Sequence, residues 1–295
     1  ACLAAAGREV VALADDESEM VALREGHLPI AEPGLAEMIE VTTRQGTLRF
    51  SVDTRELAGA EVVWITYDTP VDDNDRADAA FVLGRVTALF PHLGAQSLVL
   101  ISSQLPVGST GALEEAYRRT MPAGGATFAY SPENLRLGHA LAAFTHPDRV
   151  VIGARTEADR HRIAPLFRPY TEQLLWMSVE SAEMTKHALN AWLATSVVFI
   201  NEIATLCEEV GADAGEVARG LKSDSRVGQR AYLRPGSAFA GGTLARDIAF
   251  LTQLAEQRHV ALALAPAVRR SNDAHRQWAR RCLARFIPDL RGHKV

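Results

Sequence analysis

Cysteine is scarce in this chain of 295 residues: Cys2, Cys207 and Cys282 stand far apart, and no CxxC pair occurs. That excludes a zinc knuckle and a disulfide framework, and it points to a reducing, cytoplasmic setting. Excess positive charge is missing as well. A formal net charge of -5 argues against a nucleic acid or an anionic membrane as partner. No uninterrupted apolar run approaches the ~20 residues of a membrane helix, so no membrane partner is expected. His139 and His146 match no metal-binding spacing such as HExxH; they read as surface histidines, and no metal is expected. Internal repeats and low-complexity linkers are absent too.

What is present is ordinary in bulk. The composition is 47% hydrophobic and 23% charged, typical of a globular chain and long enough for two domains. Short β-branched runs at 10–13, 62–66, 98–102, 127–130 and 149–152 alternate with helical patterns at 17–25, 78–90, 109–119 and 155–167. Strands alternating with helices predict a doubly wound, parallel α/β sheet. Nearly continuous apolar strands fit a sheet covered on both faces. Ligands of such sheets bind outside the carboxyl ends of the strands. Here those ends read Asp15-Asp16, Tyr67-Asp68-Thr69-Pro70, Ser103-Gln104-Leu105-Pro106 and Ser131-Pro132-Glu133-Asn134.

From about Ser178 the pattern becomes helical. SAEMTKHALNAWLATSVVFINEIATLCEEVG reads as one long helix stopped by Gly211. It is apolar on nearly every face, which suits a helix running through the middle of two domains or packed on a second copy of itself. Further helices are predicted near 213–222, 246–257 and 262–286. The Arg-rich run from Arg269 to Arg285 reads as a solvated helix face. The domains are therefore expected at 1–177, 178–288 and 289–295, the last being the start of another unit. The chain lacks an initiator Met, opens inside a helical stretch and ends on GHKV, so it reads as part of something longer. ACLAAAG is too short, and lacks the basic segment, for a signal peptide.

Three segments could carry chemistry. Lys186 and Asn190 lie four apart on one helix face, with Asn201 near the same stripe. A cation and an amide on an apolar helix are costly unless paired or functional, although an exposed edge with Lys186 in water is the plainer reading of the periodicity. Glu133 sits at a strand end, the ligand edge of such a sheet, although a lone carboxylate there is more often structural. In GSAFAGGTLARD, small residues at 238 and 240–242 let a backbone approach a ligand, and free N–H groups there could hold phosphate. The helix that follows would add its positive end. Many such loops simply turn.

Together the segments say more. YSPENLRLGHALAAFTHPDRVVIG, AEMTKHALNAWLATSVVFINEIATLCEEVGAD and SRVGQRAYLRPGSAFAGGTLARDIAFL resemble, in order and spacing, the UDP-glucose/GDP-mannose 6-dehydrogenase family. ADDESEMVALREGHLPIAEPGL and SSQLPVGST resemble two further blocks of it. The resemblance implies a Rossmann-like NAD domain lacking its first strand and phosphate loop, then an all-helical central domain whose long helix forms a homodimer. It implies a nucleotide sugar (UDP-glucose or related) oxidised twice at C6 by NAD.

By resemblance, Lys186 and Asn190 surround the C6 oxygen, where a cation and an amide donor suit a developing alkoxide. Asp247 matches the carboxylate that helps activate water. Glu133 matches the first glutamate of PEFLxEG, with Asn134, Leu135 and Arg136 beside it at the substrate. Arg226 matches the arginine that reaches the sugar nucleotide of the neighbouring subunit. Phe239, Gly241 and Gly242 belong to the substrate loop. The cofactor would meet Asp15, Asp16, Thr69, Pro70 and Gln104.

The chain also departs from the family. Where the family reads GFGGSCFPKD, this sequence reads AFAGGTLARD, so Thr243 stands at the catalytic cysteine. A thiolate is accessible near neutral pH; a threonine hydroxyl without a dedicated base is a much weaker nucleophile. Leu137 replaces the second glutamate of PEFLxEG, Gln104 the threonine of STVPVG, and Ala14 the ribose-binding aspartate, with Asp15 a substitute if the strand shifts by one residue. Ala238 and Ala240 replace loop glycines. Three readings follow: a dehydrogenase with impaired or partial chemistry, an inactive homologue that binds nucleotide sugar or pairs with an active partner, or a fragment that folds without binding.

Overall fold

Alternation of side chains along four-residue strands builds the first half of the protein. The computed structural model describes residues 1–14, 16–72, 77–240 and 242–287. Asp15, Gly241 and the expected third unit at 289–295 lie outside the described residues. The chain divides into two compact units, Ala1–Pro70 with Asp78–Met184, and Val71–Ala77 with Thr185–Val295.

The first unit begins with helix α1 (Cys2–Ala5), strand β1 (Val10–Leu13), helices α2 (Glu17–Arg24) and α3 (Leu35–Arg44), and strand β2 (Leu48–Ser51). β1 and β2 pair in parallel as a two-stranded sheet. Ala4, Met20, Leu48 and Phe50 close a small core against it. A second sheet takes β3 (Val62–Ile65), β4 (Leu98–Ile101), β5 (Thr127–Tyr130), β6 (Val150–Gly153) and β7 (Leu174–Met177) in sequence order. Helices α4 (Ala79–Leu89), α5 (Ser109–Thr120), α6 (Ala140–Thr145) and α7 (Glu157–Phe167) connect them.

Because successive side chains in a strand face opposite ways, the five-stranded sheet carries two cores. Val63, Ile65, Val99, Ile101, Phe128 and Tyr130 bury one face with Val82, Val86 and Leu113. Leu98, Leu100, Ala129 and Ile152 bury the other with Ile163 and Phe167. Both faces are covered, as the apolar strands predict. Parallel pairing holds for β3–β4, β4–β5 and β6–β7, but β5 and β6 meet antiparallel through the single pair Tyr130 and Gly153.

Helix α8 (Val179–Val210) begins in the first unit and continues in the second. Gly211 takes φ 72° at its end, a conformation open to glycine at low cost. By length and composition α8 is apolar enough to cross a bilayer, against the expectation that no stretch reaches that length. The reason is compositional: between Ala188 and Cys207 the only charged residue is Glu202. The second unit adds α9 (Ala214–Ser223), α10 (Thr243–Gln257), α11 (Leu264–His275) and α12 (Trp278–Phe286). The last two replace the single helix predicted at 262–286. Its core gathers Ala194 and Val198 of α8, Ile248 of α10, and Ala265 and Val268 of α11.

Gly153 shows how closely β6 and the start of α8 approach. A Cβ there would lie 2.6 Å from Val179 Cα and 2.9 Å from Ala182 Cβ. Gly84, inside α4, has nothing within 4 Å of the same position. Gly153→Ala should therefore lower unfolding stability by about 1–3 kcal/mol through overpacking. Gly84→Ala should raise it by about 0.5–1 kcal/mol through helix propensity. Urea denaturation of both variants checks the opposite signs.

Candidate active site

The polar residues of α8 sit where an apolar helix can least tolerate them. Lys186 is 5% exposed, Asn190 6% and His187 fully buried. The reading of Lys186 as a solvated edge is corrected: it is buried, one helical turn before Asn190. Facing this stripe, α10 supplies Asp247, which is also fully buried. Nδ1 of His187 lies 2.5 Å from Asp247 Oδ1. The amide nitrogen of Asn190 donates to the other carboxylate oxygen. The Phe250 ring stands edge-on to His187 at 5.4 Å. A carboxylate at this depth needs donors on its oxygens, and α8 provides two of them. Asn190 contributes because it falls on the same face as Lys186, one turn further on, and His187 because it lies three residues before Asn190.

Thr243 is the first residue of α10, one turn before Asp247. It is exposed, and no hydrogen bond to its hydroxyl is present among the described residues. Ahead of it, Gly242 takes φ 93° and ψ -140°, close to a region that only glycine occupies readily. In the loop before that, the amides of Gly236 and Phe239 are already taken; neither is among positions 238 and 240–242, where free N–H groups are expected. Asn272 of α11 accepts from the Phe239 N–H and donates to the Phe239 carbonyl, both at 2.9 Å. Asn201 of α8 accepts from the Gly236 N–H at 2.9 Å and donates to the Ser237 carbonyl at 3.3 Å. Both asparagines are buried, and both also wall a cavity of about 360 Å³ with Val198, Leu206 and His275. Sequence reasoning placed Asn201 only near a stripe. It missed His187 and Asn272; Asn272 follows Ala265 and Val268 on one face of α11, which is a signal, whereas His187 has none beyond its place beside Lys186.

The remaining predicted residues belong to other elements. Arg226 is exposed and turned onto Asp224, with Nη2 2.8 Å from its carboxylate. That hydrogen bond holds the Asp224 carboxyl below its usual range. In the first unit, residues 133–139 form an exposed loop. Glu133 turns back to accept from the Leu135 N–H at 2.8 Å, and Asn134, Leu135 and Arg136 follow it. The loop is anchored by Glu32, which accepts from the amides of Gly138 at 2.7 Å and Leu141 at 3.2 Å.

At the carboxyl ends of β3 and β4, buried Thr69 donates to the Gln104 carbonyl at 2.8 Å. Ser103 donates to the Tyr67 carbonyl at 2.7 Å. These contacts form a ledge at the ligand edge of the parallel strands, with Pro70 exposed beside it. The start of α5 is already filled: Glu183, fully buried, accepts from the amides of Gly108 at 2.6 Å and Thr110 at 2.9 Å. A carboxylate is well placed at that positive helix end. Asp16 is likewise committed as the cap of α2, accepting from Glu19 N–H and Ser18 Oγ, the latter holding its carboxyl below the usual range. Thus Thr69, Pro70 and Gln104 stand together at this ledge, whereas the end of β1 offers Ala14 and an Asp16 engaged as a helix cap. Asp15, expected as the substitute, lies outside the described residues, as does Gly241.

Residues 1–171 match the NAD binding domain of the UDP-glucose/GDP-mannose dehydrogenase family, and residues 180–274 match its central domain. This chain belongs to that family. UDP-glucose 6-dehydrogenase of Rhizobium meliloti is 34% identical over 302 residues, covering 100% of this chain and 69% of the relative. UDP-glucose 6-dehydrogenase TuaD of Bacillus subtilis is 34% identical over 278 residues, covering 93% of this chain and 60% of the relative. A UDP-glucose dehydrogenase from Pyrobaculum islandicum superposes with a TM-score of 0.89 at 30% identity, covering 98% of this chain and 68% of that one. The chain thus spans about three fifths to two thirds of the length of these relatives. Membership gives it a Rossmann NAD-binding domain followed by a helical central one.

The clamp on the glycine-rich loop is testable. Asn272→Ala leaves the N–H and carbonyl of Phe239 without their partner, so stability should fall by roughly 1–3 kcal/mol. Amide exchange at Phe239 should accelerate while exchange within the buried turns of α8 stays slow. Hydrogen exchange read residue by residue checks both.

Proposed function

We propose that this chain carries the NAD-binding and central parts of a nucleotide-sugar 6-dehydrogenase. Its substrate is UDP-glucose or a related nucleotide hexose, oxidised at C6 in the cytoplasm. The observation that supports this most is the buried cluster on α8 and α10: Lys186 and Asn190 one turn apart, with Asp247 hydrogen-bonded to Asn190. A cation buried in an apolar helix is costly, and its neighbour amide is fixed by a carboxylate. Such a pair can stabilise negative charge developing on a primary alcohol oxygen without reorganising. NAD, when bound, supplies the hydride acceptor; Thr69, Pro70 and Gln104 would hold it. Glu133, Asn134, Leu135 and Arg136 would meet the substrate, as would Phe239, Gly241 and Gly242. Arg226, exposed, would reach the sugar nucleotide of a second copy.

Asp247 is enclosed on both oxygens, so it holds Asn190 in place rather than standing open to solvent. Thr243 has a hydroxyl with no bonded base, and an alcohol needs one to act as a nucleophile. The step from aldehyde to acid is therefore slowed or lost. The same observation favours a second reading, an inactive homologue that binds nucleotide sugar or pairs with an active partner.

The homodimer rests on α8. Trp192, Phe199, Leu206 and Val210 recur at intervals of seven, seven and four, and they are exposed; Trp192 is 68% and Val210 77% accessible. An apolar stripe of this kind on a long helix suits packing against a second copy.

Two measurements test the reading. NADH absorbance with UDP-glucose and a carbonyl trap should show aldehyde with little acid. Thr243→Cys should raise acid formation at least about tenfold, equivalent to 1.4 kcal/mol of barrier. A wild-type protein that binds nucleotide sugar in calorimetry but never reduces NAD supports the inactive homologue instead. Sedimentation should show a dimer that Trp192→Glu with Leu206→Glu converts to monomer; a monomeric wild type would overturn the dimer.

A further inference from the structure

The reading of Asn190 as a donor to the substrate leaves one question: what fixes the carboxylate that fixes Asn190? We propose that His187 is a positioning residue for the reaction. Through Asp247 it sets the rotamer of the Asn190 amide beside Lys186. This inference rests on the dehydrogenase reading above.

The geometry has three parts. Asp247 has no exposure, and one of its oxygens lies 2.5 Å from Nδ1 of His187 while the other accepts from Asn190. With the carboxylate as acceptor, Nδ1 of His187 must carry the proton, which sets the tautomer. The imidazole itself cannot swing away: it is fully buried and held edge-on by Phe250 at 5.4 Å. A carboxylate held at one oxygen only could rotate about its χ2 torsion, which is a soft one. Held at both oxygens, it has a single orientation. Asn190 then spends one amide hydrogen on Asp247, which directs its second hydrogen and its carbonyl in fixed directions. His187 touches no reacting atom in this scheme. It acts through two intermediaries, as an outer partner orients a metal ligand.

Two variants separate positioning from mere filling of space. His187→Leu removes the donor; kcat/KM should fall about 10–100-fold, the usual cost of losing an orienting partner, mainly through kcat, with KM little changed. His187→Asn retains an N–H at the position of Nδ1 and should recover most of that loss despite its smaller volume. If His187→Leu keeps activity within twofold, or if His187→Asn is as poor as His187→Leu, the proposal fails.

A second measurement needs no turnover. In nitrogen-15 NMR of the wild type, His187 should show a proton on Nδ1 that shifts in Asp247→Asn. The side-chain amide resonances of Asn190 should move or broaden in His187→Leu. Asn190 resonances unmoved in His187→Leu, or a His187 proton on Nε2 alone, would overturn the inference. A wild type that reduces no NAD with any nucleotide hexose would remove the dehydrogenase reading and leave this measurement to decide the role of His187 on its own. Thermal melts of all variants identify any that fail to fold, and in that case the shift in Asp247→Asn carries the decision.

Discussion

A single buried carboxylate joins helices α8 and α10. Asp247 of α10 is reached by two donors from α8, the ring of His187 and the amide of Asn190. Removing a buried charge from water is costly unless every lone pair finds a partner. The placement of His187 and Asn190 three residues apart, on one face, therefore follows from the demands of the acid as much as from those of any substrate. Once this knot is tied, Lys186 lies one turn from Asn190, and Thr243 one turn from Asp247.

The glycine-rich segment leading into α10 obeys the same logic at backbone level. Its backbone is half-buried to exposed, and part of it is bonded by buried side chains. Asn272 and Asn201 bond to it from α11 and α8. The segment is bare but held, and its rigidity comes from asparagines remote in sequence. In the first unit, Glu183 and Glu32 do comparable work, each accepting two backbone amides at a loop or helix start.

Much of this was legible in the sequence. Strands β1, β3, β4, β5 and β6 stand out as apolar β-branched runs, and α8 was readable end to end because Gly211 stops it. β2 and β7 were not seen. LRFS carries an arginine in its four residues, and LLWM is only partly buried. The break between α11 and α12 has no glycine or proline to announce it. The antiparallel contact of β5 with β6 is set by a single residue pair, beneath the resolution of periodicity. For the site, spacing alone paired Lys186 with Asn190, but burial decides between a solvated lysine and a functional one, and burial depends on what packs opposite. His187 was invisible for the same reason: its partner is 60 residues away.

Gly242 has a consequence for how this family can vary. Its backbone angles confine the entry to α10 to one path, and that path does not depend on which side chain comes next. Residue 243 is thus a socket in a fixed frame. A thiol in place of the Thr243 hydroxyl would leave Asp247, one turn further along the helix, where it stands.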